Sequence, residues 1–155
     1  MIGLMISIVL FNLVAFTVNK RLTKNQIVHI SMFTIAFQVL TDLIIGKKYD
    51  GYWYFEKGVE WRDLLALYIV IPPVNIMFLN FYPFDQRLYK HLLYILFWTI
   101  AITLYEAVIL LPEPWGYFNQ GWWHLWYSAL LYPFLLIIVL LYYKWILKLE
   151  KSANS

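Results

Sequence analysis

Apolar stretches at residues 1–18, 25–45, 64–83, 91–111 and 125–147 fill this chain almost end to end. A bilayer's hydrocarbon core is about 30 Å thick and a helix rises about 1.5 Å per residue, so about 20 apolar residues cross it once. Lipid is therefore the solvent for most of the chain. The apolar runs are continuous and do not alternate residue by residue, which favours helices over a β-barrel. The expected fold is all-α: a polytopic membrane bundle of five transmembrane helices. Charged residues make up only 14% of the chain, against about 25% in soluble domains, and the loops are too short for a separate soluble domain. Residues 1–150 read as one domain and 151–155 as a frayed tail.

Charge sets the expected orientation. Lys20, Arg21, Lys24, Arg87, Lys90, Lys144, Lys148 and Lys151 fall on one side of a five-span bundle, and Lys47, Lys48, Lys57 and Arg62 on the other. Basic residues favour the cytoplasmic side, which puts the N-terminus outside and the C-terminus in the cytoplasm. The first stretch lacks a basic leader, and Asn19–Lys20–Arg21 stands where a signal peptide would need small residues for cleavage, so it reads as a retained helix. The chain has no cysteine, which excludes thiolate nucleophiles, disulfides and palmitoylation.

Several helix ends are legible. Thr23 and Gln26 match a capping box opening the second helix, and Gly46 ends it. Pro83 closes the third span, Asp85 can cap the fourth, and Pro112 and Pro114 stop that helix. Pro72–Pro73 and Pro133 predict kinks inside spans three and five. Of the six glycines only Gly3 lies within a span, so close glycine-to-glycine helix contacts are unavailable and packing must rely on bulky side chains and polar bonds.

Trp53, Trp61, Trp115, Trp122, Trp123 and Trp126 gather at the outer boundary, with Tyr49, Tyr52, Tyr54, Phe55, Tyr117 and Phe118. Interfacial anchoring accounts for such rings. The sharper reading is that both outer loops fold over the bundle as an aromatic cap. Beneath it, Ser31, Thr34, Gln38, Thr41 and Asp42 form one stripe of the second helix, and Asn75 lies near mid-membrane on the third. Trp98, Ile102, Tyr105, Glu106 and Ile109 share a face of the fourth, and His124, Ser128 and Tyr132 follow at four-residue spacing on the fifth. A charge at the bilayer centre costs about 2.5–3.5 kcal/mol on insertion scales, so Asp42 and Glu106 should face protein or water. Glu106, Asp42, Arg62, His124, Asn75, Tyr105, Ser128 and Trp122 are the candidate ligand-binding residues of an outer-leaflet polar pocket. The alternative is a structural hydrogen-bond network, with Glu106 protonated or paired with Arg62 or His124.

Metal and cofactor chemistry has no signature. His29 and His91 belong near one membrane face and His124 near the other, and no zinc-protease, phosphate-loop or nucleophile-elbow pattern occurs. The scattered basic residues give no nucleic-acid footprint. The expected partners are the lipid bilayer and a membrane-protein partner or second copy.

Pro72 and Asn75, then Asn80–Phe81–Tyr82–Pro83, Tyr105–Glu106, Trp122, Tyr127 and Tyr132–Pro133 stand in an order that resembles a family. It is that of small, multi-span membrane proteins of unknown function from endospore-forming Gram-positive bacteria. The resemblance implies a bacterial plasma-membrane location and a compact helical fold, and no reaction. Three functions are consistent with the residues: a ligand, lipid or partner held in the outer pocket; a proton or cation channel or carrier; or an intramembrane lipid-modifying enzyme using Glu106 and His124 as acid and base.

Overall fold

The computed structural model describes residues 1–58 and 60–153. It is a helical bundle of α1 (Ile2–Val18), α2 (Lys24–Thr41), α3 (Trp61–Leu65), α4 (Ile71–Phe81), α5 (Leu88–Ile109) and α6 (Leu125–Ala153). Two short strands, β1 (Tyr52–Tyr54) and β2 (Phe118–Gln120), complete it. Lys24–Lys48, Trp61–Phe81, Leu88–Ile109 and Leu125–Ala153 are each long and apolar enough to cross a membrane, and α1 is a shorter apolar helix of 17 residues. The bundle also carries many large apolar side chains on its outside. Val9, Leu13, Met32, Phe97, Leu104, Leu130 and Phe134 are each more than 60% exposed, an arrangement that water would penalise and acyl chains accept.

The second and third spans are not uniform α-helices. α2 passes at Asp42 into a π-helical segment, Asp42–Lys48, and α3 is joined to α4 by another, Ala66–Val70. Pro72–Pro73 explain the second. Neither can donate to the carbonyl four residues back, so the ladder must open just before them. The carbonyl of Ile69, which Pro73 leaves without its donor, instead accepts from Asn12 Nδ2 of α1 at 2.9 Å. Pro133 has no such effect on helix boundaries: α6 continues through it for 29 residues. α6 also runs past the expected end at 147 to Ala153, so most of the anticipated frayed tail is helical; residues 154–155 lie outside the described residues.

Thr23 and Gln26 form the expected capping box at α2. Asn80 takes a structural post at the same end of the bundle. Its Oδ1 accepts from the Lys20 and Arg21 amides at 3.0 and 3.1 Å, and its Nδ2 donates to the Val18 carbonyl at 3.1 Å, which satisfies the end of α1. Gly3 allows the other end of α1 to lie against the 112–116 loop. Its amide donates to the Pro114 carbonyl at 3.2 Å, and a Cβ there would collide with the Trp115 backbone.

Two packed regions bracket the bundle. Near the α6 C-terminal end, Ile30, Phe78, Leu79, Tyr82, Leu140 and Tyr143 form the larger core. At the end where α1 begins, Leu4, Tyr52, Val70, Ile109, Tyr117 and Phe118 form the other. The second includes both long loops, which meet as an antiparallel ribbon pairing Tyr52 with Gln120, Trp53 with Asn119 and Tyr54 with Phe118. Strand alternation turns Tyr52, Tyr54 and Phe118 inward, ring against ring at 5.1–6.3 Å. The aromatic residues thus join the two loops into one roof.

Candidate ligand-binding site

Between the two packed regions lies a cavity of about 610 Å³, within the size range of small-molecule sites. Every spanning segment contributes: Ser7 and Phe11 from α1, Thr34 and Gln38 from α2, Asn75 from α4, Trp98 and Tyr105 from α5, and Leu131 and Leu135 from α6. Its roof is Tyr52, Tyr54, Tyr117 and Phe118. Ile6, Leu10 and Val108 line it and are also about half exposed. The cavity therefore reaches the lipid-facing surface where α1 and α5 stand side by side. Along this seam the Phe11 and Tyr105 rings touch edge to face at 5.0 Å.

One carboxylic side chain reaches this space. Glu106 is buried, and its Oε1 accepts from Ser128 Oγ at 2.9 Å while its Oε2 accepts from the Tyr132 hydroxyl. Ser128 in turn accepts from Trp123 Nε1 at 2.9 Å. Ser128 and Tyr132 are one helical turn apart on α6, so both meet the same α5 residue. Beside Glu106, the Gln120 amide of β2 has its Nε2 buried without an acceptor in bonding geometry. Glu106 is the only Asp, Glu, Lys, Arg or His among the described residues lining the cavity. The walls otherwise offer hydroxyls and amides, with Asn75 Nδ2 donating to Thr34 Oγ1 at 3.2 Å and the Tyr105 and Tyr117 hydroxyls bonded to each other at 2.5 Å. Burial lifts the Tyr117 hydroxyl well above the ordinary phenol range, so it stays a donor at any physiological pH.

The structure divides the expected site residues. Glu106, Asn75, Tyr105 and Ser128 line the large cavity. Asp42 faces a second, smaller cavity, where its Oδ1 accepts from Gln38 Nε2 at 3.0 Å and from the Tyr52 hydroxyl. Arg62 is not brought to Glu106. It pairs with Glu60 and with Glu56, the latter at 3.4 Å, and lies over the Phe55 ring. His124 is exposed and stacks on Tyr127, away from the bonds that hold Glu106. Trp122 is also exposed, its Nε1 donating to the Tyr49 carbonyl at 2.7 Å. The pairing of Glu106 with Arg62 or His124 is thus replaced by hydroxyl donors. Tyr132 completes the polar end of the cavity, as the four-residue spacing on α6 suggests, while Gln120 stands beside Glu106 outside the lining.

Among the described residues no three His, Asp or Glu side chains converge as a metal site. No protein-family model, curated protein or solved structure matches this chain.

Proposed function

We propose that this protein is a multi-pass protein of the bacterial plasma membrane that holds one amphipathic, lipid-like molecule in the large cavity. The cap faces outward and the end of α6 faces the cytoplasm. The observation that carries the reading is a cavity of about 610 Å³, apolar along its walls and polar at Glu106, with lipid-exposed residues along one seam. Close packing is the rule in protein interiors, and a hollow of this size in a small bundle forfeits dispersion contacts that a guest would restore. The absence of any cationic residue from the described lining disfavours a phosphate or carboxylate headgroup and supports an uncharged hydroxyl or amide head, or an amine, at Glu106. Charge supports the orientation: two of the four basic residues on the cap side, Lys47 and Arg62, are paired with acids.

Binding of a fluorescent monoacylglycerol to the purified protein in nanodiscs tests the reading. Ala101→Phe, which fills the cavity wall, should weaken binding at least about tenfold, the effect of losing about 1.4 kcal/mol. Trp122→Ala should leave it unchanged, and a lysophosphatidate of equal chain length should compete poorly. Equal binding by the wild type and Ala101→Phe, or preference for the anionic lipid, overturns the proposal.

A further inference from the structure

The second cavity, about 110 Å³, lies where the two π-helical segments approach each other, and Asp42, Lys47, Tyr52, Trp53, Asp63 and Tyr68 are among its lining residues. Asp42 opens one π-helical segment and Asp63 lies three residues before the other. Asp42 is 6% exposed and Asp63 4%, so neither carboxylate is solvated from bulk water.

Both carboxylates are bonded in the same lopsided way. Asp42 Oδ1 accepts from the Tyr52 hydroxyl and Gln38 Nε2, while its Oδ2 is buried without a donor. Asp63 Oδ2 accepts from Lys47 Nζ and the Glu60 amide, each at 3.2 Å, while its Oδ1 is buried without a donor. A buried, unpartnered carboxylate oxygen is costly, and native proteins rarely keep two beside one cavity without something to meet them. Charge counts the same way: two carboxylates against one ammonium leave one negative charge unmatched. The remaining basic groups of this loop are engaged elsewhere, Lys48 over Tyr49, Lys57 over Trp53 and Arg62 with Glu60.

We infer that Asp42 Oδ2 and Asp63 Oδ1 form a binding site for one monovalent alkali cation, held in the small cavity between the cap and the bundle. Hard cations take carboxylate and hydroxyl oxygens, and their affinity follows the number of charged ligands. One positive charge neutralises the site, whereas a divalent ion would overcharge it beside Lys47. The volume accommodates the ion with water completing its shell. This site is separate from the large cavity and does not depend on any guest there. Its effect is to tie the second span to the third beneath the ribbon.

The test is the thermal midpoint of the full-length protein in nanodiscs, followed by tryptophan fluorescence. Sodium, potassium and N-methylglucamine chlorides are compared at equal ionic strength. An alkali cation should raise the midpoint saturably, as binding to the folded state requires, and N-methylglucamine should not. Asp42→Asn, which keeps the shape and the Tyr52 bond, should raise the half-saturating concentration at least about tenfold by removing one charged ligand. Lys47→Met, which removes the competing charge, should lower it. Equal midpoints in all three salts overturn the inference, as does a Lys47→Met variant with unchanged or weaker cation dependence. Should Asp42→Asn fail to fold, the Lys47→Met comparison decides alone.

Discussion

Glu106 is held by hydroxyls, and that choice of partner defines the residue scale. Tyr132→Phe removes one donor while keeping the ring, leaving a buried oxygen of Glu106 short of a partner. The expected loss is about 1–3 kcal/mol of stability, read as a lower thermal midpoint in detergent, with Tyr127→Phe, away from Glu106, as the control. The conjunction of Glu106 with Ser128 and Tyr132 was legible because helical spacing alone fixes which α6 residues share a face. Arg62 and His124 were misplaced for a different reason. Depth along the membrane normal is a one-dimensional coordinate, and residues at equal depth can lie on opposite sides of a bundle. Arg62 found Glu60 two residues back, at the start of its own helix, a contact that a depth argument ranks no higher than any other. The small-cavity pairing of Asp42 with Tyr52 was likewise beyond the sequence, since it depends on how the 49–60 loop folds back.

At the scale of elements, the apolar runs marked the spans, and proline marked where they are disturbed, but not how. Pro72–Pro73 act through a π-helical segment that precedes them, and hydropathy is blind to a change of hydrogen-bond register because the side chains stay apolar. Asn12 shows what the disturbance requires. Asn12→Ala withdraws the donor from the Ile69 carbonyl and should destabilise the bundle by about 1 kcal/mol, whereas Thr17→Ala, whose hydroxyl bonds only within α1, should have a smaller effect on the same unfolding curve. The ribbon was hidden too. Two strands of three residues, inside loops rich in aromatic residues, give no alternation long enough to separate from an interfacial belt.

For the whole molecule, the connectivity puts the start of α1 and the end of α6 at opposite ends of the bundle, as Gly3 bonding to Pro114 and Glu150 bonding to Asn25 and Gln26 require. The absence of cysteine makes the proposed sidedness directly measurable. In intact cells an impermeant maleimide should label Lys57→Cys, on the cap, and should label Lys151→Cys only after permeabilisation; the reverse pattern inverts the orientation. The helical bundle followed from hydropathy because the bilayer admits so few solutions. The hollow did not, since apolar composition says that side chains are buried and not how completely they fill the space between helices. The roof over that hollow carries one more consequence. With two loops sewn together by backbone bonds above it, the guest proposed for it would come from the leaflet at its flank and not from the water overhead. Occupancy would then follow the proposed guest's mole fraction among neighbouring lipids, so that a compound too insoluble to be measured in buffer would still saturate the protein.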